Sequence, residues 1–326
     1  VLRRAIAWLG GLVIATTVGT ILLVRLEPPT VVEWNPPAGN AVLETRVMRR
    51  EFTTSDSGTV AALQIAQQSR GTMVFVWGLG DPQRFLTREV GALADRYTMH
   101  VIGVALRGTV RSPQTPSARF AYDRDLAAVL DELKRREPSG PVILVGVRAG
   151  AGLVTRYVQQ PGTTHHPLPD GLILVDPLLT SRELLLTPAA WEAHMYVWPR
   201  RARVRQALWW LPLPSLDRLR VARPFGTDTP APGADIAAGA LAALVVDNPW
   251  PAWTQPDVPT LLMSPARPEA SRYAVNDTHL WHQIRPGEAI GPAMTIALDE
   301  FLAPFTEAAT FRRPVPGTRE VPILPP

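Results

Sequence analysis

The chain has 326 residues, 46% of them apolar and 19% charged, which supports a sizeable core and excludes wholesale disorder. It contains no cysteine, so disulfide frameworks, thiolate metal sites and cysteine nucleophiles are excluded together. The net charge of +4 is carried almost wholly by arginine, Lys134 being the sole lysine, and so small an excess does not make a phosphate-binding surface; nucleic acid is not expected as a partner.

From Ala5 to Val24 the chain runs without a charge, between Arg3 and Arg4 on one side and Arg25 on the other. At about 1.5 Å per residue such a helix crosses a hydrocarbon core of about 30 Å. Residues 1–25 are therefore predicted to be a transmembrane anchor. A cleaved secretory signal is the competing reading, but its apolar region is shorter, and no small-x-small cleavage site follows in LLVRLEPP. Arg3 and Arg4 precede the span without acids, whereas Glu27 and Glu33 follow Arg25. This asymmetry places the short N-terminus in the cytoplasm and the rest outside, in a single-pass protein of the cell inner membrane with a periplasmic globular part. Ala7, Gly11, Ala15 and Gly19 recur at intervals of four and line one helix face. Such a stripe allows a second membrane helix to approach closely, or reflects the ordinary abundance of small residues in membrane helices.

Residues 26–40 hold Pro28, Pro29, Pro36 and Pro37, and are expected to form an extended spacer. Strand and helix patterns then alternate. AVLETRVMRREFTT and TVAALQIA flank the turn residues Asp56, Ser57 and Gly58 and predict a β-hairpin. An apolar run at 72–77 (TMVFVW), a helical stretch at 86–97 and a strand at 100–106 (HVIGVAL) follow. Residues 117–137 have the strongest helical period, with Leu126, Val129, Leu130 and Leu133 on one face. PVILVG (141–146) reads as a fully buried strand, followed by a helix at 149–160 and the strand GLILVD (171–176). Repeated βα units predict an α/β fold, a mostly parallel sheet with helices on both faces.

The order of these segments, with VWGLGD closing one strand, ALRGTVRS the next and VILVGVRAG after the long helix, resembles the lysophospholipase and monoacylglycerol-lipase branch of the α/β-hydrolases. The resemblance runs from Glu51 to about Leu178 and resumes at VPTLLM (258–263) and the last helix. It implies a hydrolase-like domain over 41–305, a helical cap over about 180–250, and an extended proline-rich tail at 306–326.

Where that family carries its chemistry the chain departs from it. The nucleophile belongs in G-x-S-x-G on a sharp strand-to-helix turn. Here the pentapeptide is Gly146, Val147, Arg148, Ala149, Gly150. A guanidinium stays protonated at any working pH and can neither attack a carbonyl nor relay a proton. Relatives place His-Gly after the third strand, and this chain has Trp77 before Gly78; Ala105 replaces the acid of D-x-R-G-x-G-x-S. After VPTLLM only Glu269 is available as triad acid, and the triad histidine would have to be His279 or His282. At the elbow Arg148 stands at a helix N-terminus, where it would bind a carboxylate or lipid phosphate, or else fill the pocket through a salt bridge to an acid such as Asp176.

In the cap, Trp191, Trp198, Trp209 and Trp210 stand among Arg200, Arg201, Arg203 and Arg205. The mixture suits an interfacial membrane helix, a protein interface, or tryptophans packing on their own sheet. Gly150, Ala151 and Gly152 lack the third glycine of a dinucleotide turn, and the adjacent His165 and His166 have no companion ligands; no cofactor or metal is expected. Two functions follow from these readings. One is a catalytically inactive, membrane-anchored hydrolase-like protein serving as an accessory or structural subunit of a membrane complex, for example a respiratory or photosynthetic one. Its partners would be complex subunits and membrane lipid. The other is a lipid-binding protein, or a lipase-like or esterase-like hydrolase with a non-standard site.

Overall fold

The computed structural model describes Gly19 and residues 26–32, 47–65, 69–77, 88–107, 121–136, 140–159, 167–177, 194–207, 218–225, 236–237, 258–265, 277–285 and 294–311. The N-terminal part of the domain comprises β1 (Thr30–Val32), β2 (Val47–Thr53), β3 (Thr59–Ile65), β4 (Thr72–Val76), α1 (Arg88–Tyr97), β5 (His100–Ala105) and α2 (Ala121–Arg136). β6 (Val142–Val147), α3 (Ala149–Gln159) and β7 (Gly171–Val175) follow, then β8 (His194–Val197), α4 (Pro199–Ala207), β9 (Arg220–Phe225) and β10 (Ile236–Ala237). The chain closes with β11 (Thr260–Ser264), β12 (His279–Gln283) and α5 (Thr295–Phe311).

Eight strands form the main sheet in the order β12-β11-β7-β6-β4-β5-β3-β2. Neighbours from β12 to β5 are parallel, while β3 is antiparallel to β5 and to β2. The central strands are apolar at nearly every position because both faces are covered, and successive side chains go to opposite sides. Val74, Val76, Leu144, Leu172 and Leu174 pack in one cluster with Leu126, Leu130 and Leu133 of α2 and Leu153 and Val154 of α3. Phe75, Val145, Ile173 and Val175 pack in the other with Val90 and Leu93 of α1 and Leu298, Phe301 and Leu302 of α5. The expected α/β architecture is present.

Polar clasps fix the outer layers. Arg156 of α3 donates to both carboxylate oxygens of Asp123 of α2, at 3.1 and 2.9 Å from Nη2. Across the opposite face, Asp299 of α5 accepts from Arg96 Nη2 at 2.6 Å and from Tyr97 Oη at 2.8 Å. The hairpin turn is held from a distance: Arg107, just past β5, donates from Nη1 to Asp56 Oδ2 at 2.7 Å and from Nε to Asp125 Oδ1 at 2.5 Å.

These two acids titrate in opposite directions. The hydrogen bond from Arg107 holds the Asp56 carboxyl well below the usual carboxylate range. Burial, only partly offset by Arg107, lifts that of Asp125 to about 6. The Asp56 contribution to stability is thus complete above its unfolded value of about 4 and is lost as the pH falls below it. The Asp125 contribution is largest below that value and declines as the pH rises through about 6. Unfolding followed by circular dichroism across pH should accordingly show Asp56→Asn losing less stability than wild type on acidification, and Asp125→Asn flattening the interval between the two values.

A second, antiparallel sheet has the order β1-β8-β9-β10. Val197, Ala202, Val221 and Ala222 from this unit belong to the same apolar cluster as α2 and α3. One expectation changes here. Most of the helical cap expected at about 180–250 lies outside the described residues, and its described part is this sheet with α4. Its edge strand comes from the predicted spacer: Thr30, Val31 and Val32 pair with Val197, Tyr196 and Met195. The β-branched run TVV outweighs its flanking prolines because Pro28 and Pro29 precede the strand and remove no ladder donor. Glu27 secures the same segment, accepting from the backbone N–H groups of Arg200 at 2.8 Å and Arg201 at 3.1 Å. That carboxylate caps α4 from 173 residues away, satisfying two donors that a helix start leaves unpaired.

The last helix also differs from expectation. It continues through Pro304 to Phe311, past the boundary at 305. An interior proline removes one hydrogen bond and bends a helix without ending it when packing holds both sides, and Phe301, Leu302 and Phe305 pack against the core here.

Among the described residues no helix is long and apolar enough to cross a membrane. The predicted span at 5–24, with Ala7, Gly11 and Ala15, lies outside them except for Gly19. Gly19 is helical, and a Cβ added there would meet nothing within 4 Å.

Candidate functional site

At the carboxyl edge of the sheet β6 ends at Val147 and α3 begins at Ala149, leaving Arg148 alone to reverse the chain. Its φ of 50° lies in the left-handed region, which costs a non-glycine residue about 1–2 kcal/mol. Two hydrogen bonds hold it there: Arg148 N–H donates to Val175 O at 2.8 Å, and Ala151 N–H donates to Arg148 O at 3.1 Å. The flanking glycines make room. A Cβ on Gly146 would lie 2.4 Å from Val154 Cγ2 and 2.6 Å from Ala151 Cα, and one on Gly150 would lie 1.8 Å from Val76 O. The strained elbow implied by the pentapeptide is thus built in full, with an arginine at its apex.

The Arg148 side chain is 9% exposed, and its Nε lies 3.9 Å from Asp176 Oδ2, at the outer limit of an ion pair. Asp176 follows β7 directly, has φ of 44°, and donates its N–H to Met263 O at 2.8 Å. Guanidinium and carboxylate therefore lie together beyond the ends of β6, β7 and β11, the side of the sheet on which open α/β folds bind ligands. The contact with Asp176 weighed for Arg148 is present at that outer limit.

The other predicted positions do not converge on this point. Trp77, just past β4, is buried in the cluster under α1 and α5 and stacks on Phe75 with ring centroids 5.0 Å apart. His279 pairs with Thr260, which pairs with Leu172, which pairs with Leu144. It therefore sits in the row of Leu144, about 13 Å along the strand direction from Arg148 and about 14 Å across three strand spacings. Its Nδ1 lies 2.9 Å from Thr278 Oγ1. His282 pairs with Met263 and so shares a row with Val175 and Val147, but the same three spacings separate it from the elbow. Proton transfer needs about 3 Å, and neither histidine meets that distance. The segment after β12 at the carboxyl edge, 286–293, contains no histidine.

Glu269, Trp191, Trp209 and Trp210 lie outside the described residues, and of Arg205 only the backbone in α4 is described. Trp198 is buried, with Arg201 stacked over its ring at 4.9 Å and Arg201 Nη1 donating to Arg220 O at 3.2 Å. This pair packs within the cap, one of the three readings of the Trp/Arg segment. No group of three or more metal-ligating side chains occurs among the described residues.

Sequence reasoning missed Glu27 and the Asp56–Arg107–Asp125 cluster. A signal for the second was available, because an arginine ending the apolar run HVIGVAL is costly unless it meets a carboxylate.

Neither a family model nor a curated protein matches the chain. Solved structures do match its fold. A structure of DcsB in complex with its substrate analogue superposes with a TM-score of 0.50 at 14% identity, over 80% of this chain and 99% of that one. A soluble variant of monoglyceride lipase from Saccharomyces cerevisiae, in complex with a substrate analogue, superposes with a TM-score of 0.50 at 12% identity, over 86% of this chain and 98% of that one. At these identities the likeness is one of fold alone.

Proposed function

We propose that the chain is a membrane-anchored α/β-hydrolase-fold protein without serine-hydrolase activity at its elbow, acting as an accessory or structural subunit of a membrane protein complex. The observation that carries this reading is the complete elbow with Arg148 at its apex. The backbone geometry that exposes a nucleophile is kept, but the side chain there cannot attack, and both candidate histidines are three strands away. The uncharged run at 5–24 supports the anchor, and its small-residue stripe supports contact with a partner helix.

The test is purification from native membranes in mild detergent with activity measured on the same sample. The chain is expected to migrate with fixed partners, to show no esterase turnover and to take no label from a serine-reactive fluorophosphonate. Arg148→Ser alone should remain inactive, since among the described residues no histidine lies within reach of the new hydroxyl. Stoichiometric labelling of the wild-type chain would overturn the proposal.

A second reading is favoured by the fold shared with monoglyceride lipase, solved with a substrate analogue. In it the chain is a lipid-binding protein or a hydrolase using a different site. A chain that purifies alone and retains bound acyl lipid or turnover would support it.

A further inference from the structure

Two residues just after the predicted anchor and the helix that one of them holds form one unit of the cap. Leu26 is 77% exposed, the highest value for a large apolar side chain among the described residues except Ile296 at 79%. Glu27, next in sequence, is buried and holds the N-terminus of α4 through two backbone hydrogen bonds. The helix so held, PRRARVRQA, has no acid, and Arg200 and Arg203 are exposed at a spacing of three, on one face. Arg201 between them is occupied with Trp198 and the Arg220 carbonyl.

From these observations we infer that the exposed face of α4 lies on the membrane surface, with Arg200 and Arg203 against anionic lipid headgroups and Leu26 at the acyl boundary. The inference rests on the anchored reading of residues 5–24. Val24 and Glu27 are three residues apart, at most about 11 Å of chain. The headgroup layer on each side of a bilayer is about 5–8 Å thick. Because β1 and Glu27 are bound to the cap, the chain leaving the bilayer cannot act as a loose tether. It delivers α4 to within about one Debye length of the headgroups, where unscreened arginine charge is attracted. A flexible spacer would leave the orientation of the domain open, whereas the Glu27 clasp sets it with the cap toward the lipid.

The absence of cysteine allows a direct test on the full chain in lipid nanodiscs. One fluorophore is placed at Val204→Cys on α4, which keeps both arginines, or at Glu51→Cys on β2 at one edge of the main sheet, and energy transfer to acceptor-labelled headgroups is measured. Transfer from position 204 should exceed that from 51 by at least about threefold, because it falls off steeply with distance. It should be greater in discs containing phosphatidylglycerol than in phosphatidylcholine alone, and should lose that excess in high salt or with Arg200→Glu. Equal transfer from both positions, or transfer from 204 indifferent to lipid charge, overturns the inference while the anchor stands. Carbonate extraction of native membranes tests the anchor separately: a chain washed off has no anchor, and the inference falls with it.

Discussion

Asp125→Ala should cost about 3–5 kcal/mol of stability, the range for removing one member of a buried ion pair. The Asp125 side chain is fully buried and that of Arg107 is 4% exposed, so removing the acid leaves a cation that water cannot reach. Asp125 accepts both from Nε and, at 3.3 Å, from the Arg107 backbone N–H, and both donors lose their partner. Asp56 would still hold Nη1, which confines the loss to one arm. For a domain of this size the penalty should appear as a fall in melting temperature of about 6–20 °C. The double variant Arg107→Met with Asp125→Leu should be more stable than Asp125→Ala, because it removes both charges and leaves no orphan. An Asp125→Ala protein that melts within about 2 °C of wild type would show that the cluster does not support the hairpin as described.

Gly150→Ala should be at least as damaging, by at least about 3 kcal/mol or with loss of the folded state. The added Cβ would lie 1.8 Å from Val76 O, 2.4 Å from Val76 C and 3.0 Å from Trp77 N. These are backbone atoms, and no rotamer change relieves them. β4 is paired on both sides, with β5 and β6, so it cannot retreat without breaking two ladders. Arg148→Gly provides the contrast. It removes the left-handed strain and the distant Asp176 contact together, and should change stability by less than about 1 kcal/mol. Parallel thermal scans separate a turn that needs its glycines from one that needs its arginine.

The sequence by itself determined the layered α/β core and the elbow. Both are local properties: fully apolar runs of strand length appear wherever two faces are covered, and glycines two residues either side of Arg148 mark a turn with no room for Cβ atoms. The identity of the apex residue, and with it the exclusion of a serine nucleophile there, required no coordinates. Tertiary structure decided what depends on pairing across long separations. TVV became the edge of the cap sheet because β8 offered it a partner, and Glu27 became the cap of α4 because that strand brought it there. Asp56, Arg107 and Asp125 became one cluster because the hairpin turn, the end of β5 and the second turn of α2 meet in space. His279 and His282 were separated from the elbow by strand register: β12 occupies the sheet edge, and a strand's lateral place is set by its neighbours and not by its own residues.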